Sequence, residues 1–453
     1  MAKVCFILIA GLDQQLLSRT PELSALASFD VRKPLQPVTP AVTCTMQATL
    51  STGRPPGQHG IIANGLYTHN RAELQSHLDL SSFPEFRRNT SFWEQSNHLL
   101  GAPRFWQASK GWRGKVAMLF WQNSMDGAAD IVLTPKPTHT PDGKTMTACW
   151  SSPADLYAQL TAQYGPFPLM NYWGPMASLP SSQWIIRAAQ DVWKTHAPDL
   201  ELVYIPHMDY SLQRVGPDHP VVIKEMQALD AALLPFIESV RASGGIPIVA
   251  GDYSITNVSR AILPNLALRE AGLLLAKADE QGKLLVDYDG SAAFAMVDHQ
   301  IAHIYCAPGR RGEVVRALAA TGERGGRILT EPAEIDALGL KSDRSGDIIL
   351  LAPPDAWFAH DWWPLGSAGD AEKPAWQFSV DIHRKPGYDP RELFFDPARK
   401  CIAQDPGLVK GSHGLVSRDP AGWPALLCGR DVAPAGETIA ATAVAGWLEH
   451  LLK

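Results

Sequence analysis

Four short apolar runs, each stopping abruptly before a polar group, limit what this chain can fold into more than any other feature. They are Val4–Ala10 ahead of Asp13, Val116–Phe120 ahead of Gln122 and Asn123, Leu200–Ile205 ahead of Asp209, and Ile246–Ala250 ahead of Asp252. Runs of this length without polar alternation suit strands covered on both faces, and therefore a mostly parallel sheet. Helical patterns lie between them. Met226, Leu229, Leu233, Ile237 and Val240 share one face, with Pro235 expected to kink or interrupt that helix. Ser182–His196 and Glu437–Leu452 also read as helices. Strand and helix in alternation predict a doubly wound α/β fold, a mostly parallel sheet flanked by helices. Ligands gather beyond the carboxyl ends of the strands in such sheets, and three of the runs deliver an Asp there.

With 453 residues the chain is long enough for a large core with insertions. The expected division is a core segment 1–123, a lid-like insertion 124–181, core again over 182–256, a cap-like insertion 257–345, and core completion over 346–453. The two insertions are picked out by Pro, Trp and Tyr in the first and by a charged, glycine-containing section in the second. A net charge of −6 with no like-charge run argues against nucleic-acid polymers and membrane surfaces as partners. The opening MAKVCFILIAGLD is too short for a membrane span and has no separate cleavage site, so it reads as the first buried strand. Six scattered Cys without a CxxC pair fit a reducing, cytoplasmic setting.

The stretch from Gln36 to Tyr67 carries the chemistry. A hydroxyl-rich turn at Thr43-Cys44-Thr45 precedes one helix over about Met46 to Ser51 and a Gly/Pro loop ending at Asn64-Gly65. The first turn of a helix offers free N–H groups and the positive end of the dipole to an anion. Thr43 is therefore either a phosphate-facing nucleophile or an ordinary helix cap.

Thr43, TLSTG at Thr49–Gly53, HGI at His59–Ile61 and Asn64 resemble the nucleophile region of the nucleotide pyrophosphatase/phosphodiesterase branch of the alkaline phosphatase superfamily. Asp13, YIPHMD ending at Asp209, GDY at Asp252 and GSHG around His413 follow in that family's order. The resemblance implies a bimetal phosphoryl-transfer site of zinc or manganese type. Asp13, Thr43 and Asp252 would surround one ion, while Asp209 and His413 would belong to the other. Coordination would stabilise the Thr43 alkoxide, the second ion would stabilise the leaving oxygen, and Asn64 would meet charge on the phosphoryl oxygens. A phospho-threonine intermediate follows from that scheme.

Two positions depart from the family pattern. Gln213 and Tyr253 stand where the family carries His ligands, each exchanging an imidazole for an oxygen-based group. Replacement ligands or substrate contacts are sought at His207, at His299 and His303 in DHQIAH, and at His383. DHQIAHIY runs on from AFAMV and reads as a strand, on which His299 and His303 point to one face. Cys44 lacks the CxPxR setting of a sulfatase nucleophile and reads as a packing residue. The expected function is a metal-dependent phosphoesterase, a hydrolase of phosphodiester or nucleotide pyrophosphate type. Phosphomonoesters and phosphonates are alternative substrates. A metal-poor protein that binds a phosphorylated ligand or partner without catalysis is the alternative of another class.

Overall fold

The computed structural model describes residues 2–67, 90–93, 95–139, 145–278, 282, 284–323, 326–363 and 387–453. The four apolar runs form the middle of a nine-stranded sheet. Its members are β1 (Val4–Ile9), β2 (Val31–Gln36), β3 (Val116–Leu119), β4 (Ile131–His139), β5 (Thr145–Ser152), β6 (Leu200–Ile205), β7 (Ile246–Gly251), β8 (Ala425–Cys428) and β9 (Ile439–Ala440). They lie in the order β9-β2-β8-β7-β1-β6-β3-β4-β5. The run β7-β1-β6-β3-β4 is parallel, with antiparallel β5 at one edge and β8 antiparallel to both β7 and β2. β1 and β6 are buried along their whole length, as strands covered by helices on both faces must be. The α/β architecture expected above, a mostly parallel sheet with flanking helices, is the one found.

The helices that matter for the site are α1 (Gln14–Arg19), α2 (Thr43–Thr52), α3 (Leu179–His196), α4 (His207–Val215), α5 (Pro220–Ala242) and α6 (Ala441–Leu452). α5 continues through Pro235, where interruption was expected; Leu229, Leu233, Ile237 and Val240 are buried along it, and that packing outweighs one lost backbone bond. α2 is buried on every side. Met46 and Leu50 join the core of the large sheet, whereas Cys44 and Ala48 pack with Ile61, Ile301 and Ile349. Gly53 closes the helix in a left-handed conformation with φ of 68°, its N–H donating to the Thr49 carbonyl at 2.8 Å.

Ile301 and Ile349 belong to a second, five-stranded sheet with its own core. Its strands are Arg327–Leu329, Ile348–Leu351, Ile301–Cys306, Ala293–Asp298 and Gly387–Tyr388, in that order. Much of the 257–345 stretch goes into this layer. The 124–181 stretch, expected as a lid, supplies β4 and β5 to the edge of the large sheet. Ile131, Val132 and Leu133 are buried there, and so short an apolar run suffices for the parallel strand next to the edge. DHQIAH is not one strand. Asp298 pairs with Ile301 across a two-residue turn, with His299 at φ of 57°, so His299 sits at the tip and His303 lies in the returning strand.

Candidate active site

The site lies where α2 points its first residue at the carboxyl ends of β6 and β7. Thr43 opens α2, and Val42 before it offers no capping side chain. Thr43 Oγ1 stands 3.3 Å from the Tyr204 hydroxyl and donates to the Tyr253 hydroxyl at 3.4 Å. Tyr253 in turn donates to Asp209 Oδ1 at 2.9 Å, and Gln213 Nε2 donates to Asp209 Oδ2 at 2.6 Å. Asp209 and Gln213 are one turn apart on α4, which places both side chains on one face. The Tyr253 ring lies flat on the His413 imidazole, with centroids 3.6 Å apart and 1° between the planes. His413 Nε2 is 3.7 Å from Asp209 Oδ1, and its Nδ1 bonds the Ala41 carbonyl at 2.8 Å. Asp252 Oδ1 accepts the Gly11 N–H at 3.3 Å and the Tyr253 N–H at 2.9 Å, while its Oδ2 is buried without a hydrogen-bond partner.

A second arm reaches the site from the smaller sheet. Asn64 Oδ1 accepts the Cys44 N–H at 2.9 Å, which holds the amide against the first turn of α2. Asp298 fixes Asn64 from behind, accepting its N–H at 2.8 Å and its side-chain amide at 3.3 Å. His299, at the hairpin tip, brings its ring within 3.6 Å of His413 and 4.6 Å of Tyr388. The Tyr388 hydroxyl reaches Gln213 Oε1 at 3.4 Å.

The remaining candidates are used differently. Asp13 caps α1, its Oδ1 accepting the Leu16 N–H at 2.7 Å. The position of β1 level with Asp252 is Ala10, because Ile9 pairs with Gly251 in parallel register. His303 accepts the Gly346 N–H through Nδ1 at 3.2 Å from its strand, so the shared role expected for His299 and His303 ends at the hairpin. His207 Nε2 meets Glu225 at 2.7 Å. His383 lies outside the described residues. Tyr204, Asp298 and Tyr388 were missed by sequence reasoning. Asp298 stands beside His299 in the DHQ motif, which is the one signal that pointed to it.

Burial sets the electrostatics. It pushes Asp209 up to about 6, opposed by the hydrogen bonds from Gln213 and Tyr253. It drives Asp252 well above the carboxylate range, with the Asp209 charge adding to the effect. Asp298 rises to about 7 for the same first reason, opposed by the bonds from Asn64. Burial lowers His413 to about 3 and takes His299 well below the usual imidazole range. Both rings are thus neutral at pH 7. With Nδ1 donating to the Ala41 carbonyl, His413 presents Nε2 as a lone-pair donor.

Residues 4–389 match the family model described as type I phosphodiesterase / nucleotide pyrophosphatase. The chain belongs to this family. Among solved structures it is similar to murine ectonucleotide pyrophosphatase / phosphodiesterase 5, in an inactive variant complexed with AMP, at 16% identity and a TM-score of 0.59 over 100% of this chain and 95% of that one. It is also similar to the Sinorhizobium meliloti 1021 phosphonoacetate hydrolase in complex with phosphonoformate, at 15% identity and a TM-score of 0.62 over 100% and 96%. No curated protein matches the chain. The fold is shared with these two solved structures, but the donor set departs from a paired metal centre. Among the described residues, no three His, Cys, Asp or Glu side chains stand where they could hold a metal ion. Asp13 is committed to a helix cap, and both Asp209 oxygens accept hydrogen bonds from neutral side chains. Asp252 Oδ2, His413 Nε2 and His299 Nδ1 have no hydrogen-bond partner, too small a set for two closed transition-metal sites. The residues present do not fit the metal pair.

Proposed function

We propose that this member of the family is a hydrolase of small phosphate or phosphonate esters, with Thr43 as the residue that takes the phosphoryl group. The observation that supports this reading most is the placement of Thr43. Its hydroxyl opens a buried helix, and Asn64 is pinned beside the first-turn N–H of Cys44 by Asp298. Phosphoryl oxygens at that point would meet the positive end of the α2 dipole and the Asn64 amide hydrogen that is not given to Asp298. The solved neighbours complexed with AMP and with phosphonoformate support a small phosphorylated or phosphonate ligand. Among the described residues no helix is long and apolar enough to cross a membrane, and the six cysteines are free, which supports a reducing compartment. In the reaction Thr43 Oγ1 bonds to phosphorus as the ester oxygen departs, and water then releases the phosphoryl group from the threonine. The Thr43 proton has a route through the Tyr253 hydroxyl to Asp209.

Thr43→Ala should lower turnover of an aryl phosphodiester by at least about a hundredfold while leaving the thermal midpoint nearly unchanged. Acid-quenched wild-type protein should carry phosphate on the peptide containing Thr43. Unaltered turnover in the variant would remove Thr43 from the mechanism. A second reading, binding of the same ligands without turnover, is favoured by the saturation of Asp209 by Tyr253 and Gln213. It predicts calorimetric binding of AMP or phosphonoacetate with no product formed.

A further inference from the structure

The side chains around Thr43 are joined to one another in a way that has a consequence for what the site can hold. Asp209 spends Oδ1 on the Tyr253 hydroxyl at 2.9 Å and Oδ2 on the Gln213 amide at 2.6 Å. The Tyr253 oxygen also receives the Thr43 hydroxyl at 3.4 Å, so a single phenol joins the threonine to the carboxylate. Its ring is stacked on His413 at 3.6 Å, and its own N–H holds Asp252 Oδ1 at 2.9 Å. A cation bridging Thr43 and Asp209 would need the space this hydroxyl fills. β1, level with Asp252, contributes the methyl group of Ala10 and no donor.

The free atoms do not repair the set. His413 Nε2, His299 Nδ1 and Asp252 Oδ2 are buried and unpartnered. The two imidazoles lie one over the other, with centroids 3.6 Å apart and 37° between the planes. Two nitrogens and one carboxylate oxygen, divided between two ions, leave each well short of the three or four protein ligands a zinc site uses.

We infer that this site is assembled without a transition-metal pair, the Tyr253 hydroxyl joining Thr43 to Asp209 in the place a cation would take and Gln213 occupying the second carboxylate oxygen. Tyr253 and Gln213 are positioning residues in this arrangement. This construction of the site is the same whether the chain turns over its ligand or only binds it.

The test is metal stoichiometry on the full chain. Purified protein is incubated with Zn²⁺ and, separately, Mn²⁺, desalted, and assayed by elemental mass spectrometry beside a Gln213→His/Tyr253→His double variant. The wild type should keep less than about half an equivalent of either ion, and the double variant should keep at least about fivefold more Zn²⁺, having regained imidazoles next to Asp209 and His413. Half an equivalent or more on the wild type overturns the inference. So does a double variant that folds, by circular dichroism, yet gains less than that. Neither readout depends on activity, so failure of the hydrolase reading and failure of this one are told apart.

Discussion

Asp298 shows how one side chain outside the reacting set controls the site. It reaches the first turn of α2 only through Asn64, which bonds the Cys44 N–H, and both of its oxygens are spent on that residue. Burial raises its carboxyl to about 7 from an ordinary 3.8. A raised folded-state value means the native protein binds the proton more tightly than the unfolded chain does. The stabilisation is therefore complete below about pH 4 and is lost as pH rises through about 7. Asp298→Asn keeps an acceptor for the Asn64 N–H and has no charge to bury. Between about pH 4 and pH 8, urea unfolding should shift in favour of this variant relative to wild type by something of order 3 kcal/mol. A difference that stays flat across that range would remove Asp298 as the source. Thr43, Asn64, Asp209, Asp252 and His413 stand out in the sequence because each sits in a short motif at a strand or helix end, and the structure gathers them into one cluster. Tyr204 was not, since an aromatic inside an apolar strand has no mark to separate it from core.

The ends of β1 and β7 fix where the carboxylates stand. A Cβ at Gly251 would lie 1.9 Å from the Leu12 carbonyl oxygen and 3.2 Å from the Pro424 side chain. That carbonyl is held in place by the Ala425 N–H at 3.0 Å, so it has no freedom to withdraw. Gly251→Ala should cost about 3 kcal/mol of stability and displace Asp252, the next residue. Thermal denaturation checks the first effect; a midpoint within about 1 °C of wild type would show that the strand end is looser than its contacts imply. The strands themselves could be read from the four apolar runs. The hairpin at His299 could not, because AFAMVDHQIAHIY is continuous in β propensity and only a positive φ at a non-glycine residue breaks it.

The chain beyond the last strand of the smaller sheet is held by buried charge. Arg391 Nε donates to Asp389 Oδ1 at 3.0 Å, and its Nη1 reaches Asp361 Oδ1 at 3.3 Å, all three side chains being buried. The neighbouring Tyr388 runs from the smaller sheet to Gln213 and His299, so this cluster anchors the segment that closes one side of the site. Arg391→Leu would strand two carboxylates away from water and should destabilise the protein by about 3–5 kcal/mol. Adding Asp361→Asn and Asp389→Asn should recover much of that loss, since the cost lies in unpaired charge. Chemical denaturation of the single and triple variants decides it, and equal losses would place the cost in packing instead.

The linear chain by itself determined the sheet-and-helix layering, the family, and which strand ends bear carboxylates, because burial periodicity and short motifs are local properties. Only the tertiary structure decided what those carboxylates do. Asp13 turns back to cap a helix, Ala10 takes the level beside Asp252, and Tyr253 reaches across from β7 to join Thr43 and Asp209. Which donor meets which acceptor is set by strand register and ring orientation, and neither is encoded within any one stretch of sequence.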